Sequence, residues 1–117
     1  MIKQLTLILS FILLYSNNIF AYNVNNECEK QLNKGKFEEA LKAANSVKDK
    51  YDSNFCKGKA NFRLRNNDQA IKDFEIAEKE ASIQADQMQA ILFKGITQRD
   101  SGDFKGSNKT FTYGFQT

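Results

Sequence analysis

The 117-residue chain has no histidine and no proline, only two cysteines, and no apolar stretch longer than the 11 residues from Leu5 to Tyr15. Each absence excludes something. Without histidine the chain lacks the commonest general base, the usual partner of a nucleophile and the usual zinc ligand. An enzyme would have to rely on carboxylates or lysines alone, and nothing clusters them, so neither catalysis, a metal nor a cofactor is expected. No Gly-Lys-Ser/Thr follows a glycine-rich run, which rules out a phosphate-binding loop. Asp100 and Asp103 flank Gly102, but a calcium loop opening at Asp100 would need oxygen ligands where Gly102 and Phe104 stand. Turn chemistry explains both aspartates.

Charge of one sign is also scarce. Seventeen Lys and Arg against 14 Asp and Glu leave a formal charge of +3, and Lys and Glu are mixed along the same segments. That pattern describes solvated helix surface and not the basic stripe of a nucleic-acid binder. The lack of proline leaves helices uninterrupted. Nowhere does an alternation of apolar and polar residues persist for a strand's length, so the chain is expected to be all-α.

What is present begins with the amino terminus. A single charge at Lys3, the apolar run "LTLILSFILLY" and the segment "SNNIFA", ending on a small residue, are the three parts of a secretory signal peptide. Cleavage is expected after Ala21, and Tyr22, not a cysteine that could carry a lipid, stands next. A spanning helix needs about 20 apolar residues, so no membrane insertion is expected once residues 1–21 are removed. Residues 22–117 would then form one domain of charge +2, since only Lys3 is lost. The expected location is exported, in a periplasm or secreted. Export changes the meaning of Cys28 and Cys56, because in an oxidising compartment an even number of cysteines suggests a bridge. A bond across that loop contributes about 3–4 kcal/mol by the chain-entropy estimate. The alternative is two small apolar side chains packed between helices.

The chain also repeats itself. "NKGKFEEALKAA" from Asn33 is echoed by "NNDQAIKDFEIA" from Asn66 and "SGDFKGSNKTF" from Ser101. Ala40, Ala70 and Ser107 mark the same place in each echo, and Cys28, Gly58 and Gly95 each stand twelve residues earlier. Both rulers bracket a period near 34. Each unit divides into two helical halves. Val24, Cys28 and Leu32 precede the turn at Gly35, and Phe37, Ala40, Leu41, Ala44 and Val47 follow it. Phe55, Gly58 and Phe62 precede Asn66 and Asn67, with Ala70, Ile71, Phe74 and Ala77 behind. Ile91, Leu92, Gly95 and Ile96 precede Gly102, with Phe104, Ser107 and Phe111 behind. Small residues at paired positions let antiparallel helices cross within the 8–10 Å of packed pairs, while aromatics fill the wedge beside them. Residues 78–87, rich in Ala, Glu and Gln, are expected to lengthen helices instead of forming a loop.

Helix-turn-helix units of this length, with a small residue in the first helix, "GKF" or "GDF" at the turn and "EEA" opening the second helix, resemble tetratricopeptide repeats. The resemblance covers about residues 22–115. It implies a helical-repeat array of about three hairpins, in units 22–50, 51–80 and 85–117. "GKFEEALKAA" matches well, the second unit fairly, and the third departs with Gly106 and Ser107 where Glu and Ala are usual. The family's closing proline is absent, so helical-hairpin repeats of other lengths stay open.

In such arrays the first helices line a concave side. The resemblance places there Asn25 and Glu29, then Phe55, Lys59, Phe62 and Arg63, then Leu92, Ile96 and Arg99. Phe62 could equally be core. Lys59 and Arg63, four apart and on one face, with Arg99 from the next unit, would receive an acidic or C-terminal carboxylate, and Phe55 and Leu92 would anchor apolar groups. The implied function is a non-enzymatic adaptor holding a peptide or envelope protein. The ending "TFTYGFQT" supports another reading. With Phe111, Tyr113 and Phe115 close together, it suggests a subunit that self-associates or docks onto a larger protein through its end.

Overall fold

The computed structural model describes residues 23–116, and the expected signal peptide of residues 1–21 lies outside them. The described residues form six α-helices and no strand: α1 Glu27–Asn33, α2 Phe37–Ala44, α3 Lys50–Arg63, α4 Asn67–Glu80, α5 Gln84–Asp100 and α6 Phe104–Gly114. The all-α expectation holds. Each helix packs on its neighbours in sequence, giving three hairpins. The odd helices also touch one another, α1 with α3 and α3 with α5, whereas among the described residues the even helices do not.

The three hairpin turns are built alike. After α1, Gly35 adopts φ 76° and Lys36 N–H donates to the Gln31 carbonyl at 3.0 Å. After α5, Gly102 adopts φ 90° and Asp103 N–H donates to the Gln98 carbonyl at 2.9 Å. The turn after α3 repeats this geometry with Arg65 at φ 67° and Asn66 N–H bonded to the Asn61 carbonyl at 2.8 Å. All three are Schellman closures, which satisfy the last carbonyls of a helix through one left-handed residue. These closures supply the stops that proline does not. At Arg65 the β carbon makes that conformation costly, by about 1 kcal/mol.

The starts of α1, α3 and α6 carry side-chain caps. The Asn26 side chain accepts from Glu29 N–H, Asp49 from Asp52 N–H and Asp103 from Gly106 N–H. Asp103 is therefore a helix cap, as turn chemistry required. Residues 78–87 lengthen helices as expected, since α4 runs to Glu80 and α5 starts at Gln84, with a break of three residues between.

The paired small residues sit where the helices cross. Cys28, Ala40 and Ala70 are fully buried and Ser107 nearly so. A β carbon on Gly58 would lie 2.5 Å from the Phe74 ring, and the rings therefore fill the space that the glycines leave empty. The third hairpin repeats the fit with Gly95 under the Phe111 ring. Sixteen residues separate each such pair. In the first hairpin the same spacing joins Cys28 to Ala44, so a larger first residue meets a smaller second one. Ser107 Oγ closes the third crossing by donating to the Gly95 carbonyl at 2.9 Å.

Two cores result. Cys28, Ala40, Ala44, Cys56 and Ala60 form one, with Leu32, Leu41 and Val47 against it. Cys28 and Cys56 are bonded, with Cα atoms 6.3 Å apart, and this tie fastens α1 to α3. Tyr51, Phe55, Ala70, Phe74, Ala77 and Ala90 form the other, with Phe62 and Phe93 against it. Two expected stripe positions are exposed. Val24 precedes α1, and Phe104 is 64% exposed at the first position of α6. Val47 lies beyond the end of α2 yet still packs on the first core. Before the first turn of a helix there is no preceding turn to press an apolar residue inward, and periodicity alone does not register that end effect.

Candidate functional site

The expected anchor Phe55 is corrected by its surroundings. It is 1% exposed and surrounded by rings, 5.4 Å from Tyr51, 5.8 Å from Phe74 and 5.1 Å edge-on from Phe93. No face is left for a partner, because α5 covers this side of α3. Phe62 packs half-buried against the same core.

The expected pair of cations does not act as a pair. Lys59 Nζ lies 2.5 Å from Glu29 Oε1, whose side chain is 5% exposed, and 4.9 Å above the Phe55 ring. Its charge is spent inside the α1–α3 contact. A buried carboxylate left alone would be strongly unfavourable, so Glu29 holds Lys59 there. Arg63 turns elsewhere, with its guanidinium 4.8 Å over the Phe37 ring. Arg63 and Arg99 are exposed, as is Asn25.

Leu92 is different. It is 42% exposed, one turn after Met88 at 43% and one turn before half-buried Ile96. Spaced by four, these three share one face of α5, with Arg99 three residues on. Ala85, Met88, Gln89, Leu92 and Phe115 line an open groove of about 370 Å³ that carries no charged side chain. Phe115 arrives there because Gly114 packs against the Ile91 side chain, which no β carbon would permit, and because its ring stacks on Phe111 at 6.3 Å. Tyr113, grouped with these aromatics in sequence, is 65% exposed and stands outside the groove lining.

Met88, Ala85 and Gln89 escaped sequence reasoning. The signal lay in the repeat. The 37-residue step from Gly58 to Gly95 carries Tyr51, Phe55 and Lys59 onto Met88, Leu92 and Ile96. Tyr51 and Phe55 are covered by α5, whereas Met88 and Leu92 are exposed.

Carboxylates gather at the amino-terminal ends of α3 and α5. Asp52 accepts from Asn23 N–H at 3.3 Å and is 6% exposed. Its pKa rises from 3.8 to about 6, chiefly from burial and then from the charges of Asp49, Asp86 and Glu29 against the opposing Asn23 hydrogen bond. Tyr51 donates to the Asp86 carbonyl at 2.9 Å, and burial raises its pKa too. Burial likewise raises Asp73, although Asn61 and Gln69 both donate to it. Because folded Asp52 holds its proton to higher pH than the unfolded chain does, its contribution is most favourable below about pH 4 and is lost as pH rises through about 6. Asp52→Asn keeps an acceptor for Asn23 and removes the charge. The variant is expected to be more stable than wild type at pH 7, with the difference vanishing near pH 4, as read from urea midpoints across that range. An equal difference at both pH values would refute the assignment.

Among the described residues no helix is long and apolar enough to cross a membrane, and no group of three or more acidic or cysteine side chains is arranged to hold a metal. The chain matches no protein-family model, no curated protein and no solved structure.

Proposed function

We propose that this chain is a non-enzymatic protein-binding module, exported and stiffened by its disulfide, whose working surface is the outer stripe of α5. The observation that carries this reading is the uncharged groove at Met88, Leu92 and Phe115. Clustered apolar side chains of this size cost free energy in water and mark binding surfaces. The tetratricopeptide-like array with a concave side fits the contacts among the odd helices. Arg99 at the far end of the stripe offers a charge to an acidic group or terminal carboxylate of a bound protein.

The reading departs from the groove expected at Phe55, Lys59 and Arg63, because those side chains are engaged within the fold. The end-docking reading is favoured by one specific fact. Phe115, from beyond α6, joins the α5 stripe in a single lining. The test is a crosslinking pull-down from the envelope fraction with wild type and Leu92→Glu. Leu92→Glu should lose the specific partners while Arg63→Glu retains them. Identical partners for wild type and Leu92→Glu would sink the assignment.

A further inference from the structure

We propose that the occupant of the α5 groove is a second copy of this chain, seated groove to groove about a twofold axis. The inference rests on reading the Met88–Leu92–Phe115 surface as the binding surface and adds the identity of what binds there.

The interface between α3 and α5 shows what this stripe receives. Tyr51 and Phe55 on α3 are covered by α5, which presents Ala90 and the edge of Phe93 to them. Met88 and Leu92 stand at the equivalent places one unit on, so the same mode of stacking continues into open space. Two ways of pairing copies could cover them. In a head-to-tail array, the outer face of α1 would take the part that α5 plays. The same repeat steps carry Ala90, Phe93 and Thr97 back onto Ser53, Cys56 and Ala60 of α3, which face the first hairpin, Cys56 through its bond to Cys28 of α1 and Ser53 through its hydroxyl on the Ala44 carbonyl of α2, and then onto Asn23, Asn26 and Lys30. Those three are polar, and Lys30 is charged and exposed. Setting them on Met88 and Leu92 would strip water from the Lys30 ammonium and supply no partner.

Groove-to-groove pairing has no such conflict. No charged side chain lines the groove, so a twofold brings no like charges together, and each Leu92 and Phe115 meets apolar surface on the other copy. Closure about the twofold also ends the assembly at two, because the polar α1 face is left outward.

The experiment is sedimentation equilibrium of the oxidised protein, residues 22–117, over a hundredfold range of concentration, with Leu92→Glu and Met88→Glu beside wild type. Circular dichroism of each variant confirms that the helices remain. Wild type should rise to twice the chain mass and stop there, and each Glu variant should weaken association by about 100-fold or more, since a charge replaces a buried apolar contact. A wild type that stays monomeric throughout overturns the second copy as occupant. If the pull-down partners are nonetheless lost in Leu92→Glu, the binding surface itself stands. A mass that keeps growing with concentration overturns the twofold, and a dimer unchanged in both variants overturns the groove as its interface.

Discussion

Replacing Cys28 and Cys56 by alanine is expected to lower stability by about 3–4 kcal/mol. The bond joins residues 28 apart in sequence and ties α1 to α3. The reason for the size of the effect is structural as well as entropic. Helix α1 has only seven residues, too few to be stable alone, and the core beneath it is made of small side chains: Ala40, Ala44 and Ala60. Small side chains bury little apolar area, so the first hairpin depends on the crosslink more than the second does. A domain of this length has roughly 5–15 kcal/mol in total, and the melting temperature should fall by roughly 15–30 °C. Differential scanning calorimetry of the variant, or of wild type with reductant, measures it. Thiol titration of denatured protein supplies the chemical check. Two free thiols in protein from its native compartment would remove the bond and this prediction together.

Gly58→Val is expected to cost about 2–3 kcal/mol, because even its β carbon would overlap the Phe74 ring, and that ring is fully buried against Phe55 of α3 and Phe93 of α5. The informative experiment is the double variant. Phe74→Leu alone should also destabilise, through the lost ring and the space left behind. The pair combined should cost less than the two single changes together by more than about 1 kcal/mol, since the smaller Leu opens room for the valine. The first hairpin already contains that solution in Cys28 against Ala44. Urea unfolding of the four proteins gives the coupling. Additive losses would show that the glycine and the ring do not compete for one space.

The repeat was legible because helical contact obeys a period. The markers Cys28, Gly58 and Gly95, with Ala40, Ala70 and Ser107, need only a sequence to be seen, and each is buried at a crossing. The pairing of the cysteines needed no geometry either, there being only two. The Schellman turn at Arg65 was less visible, since the residue that marks it in the other hairpins is glycine.

The site was legible only in part. Lys59 and Arg63 share a spacing of four, yet Glu29 engages one and the Phe37 ring the other. Leu92 was among the expected contacts, but Met88 and Gln89 beside it were not.

By itself the sequence determined that the described chain is helical, that the helices come in hairpins, and where small residues let them cross. Local spacing decides those things, because a helix repeats every 3.6 residues whatever surrounds it. Only the tertiary structure decided which apolar stripe is core and which is surface. Phe55 and Leu92 occupy equivalent places, and their difference lies in the presence of α5 over one and of no described element over the other. Coverage is a property of neighbours in space, and a helix period contains no record of it.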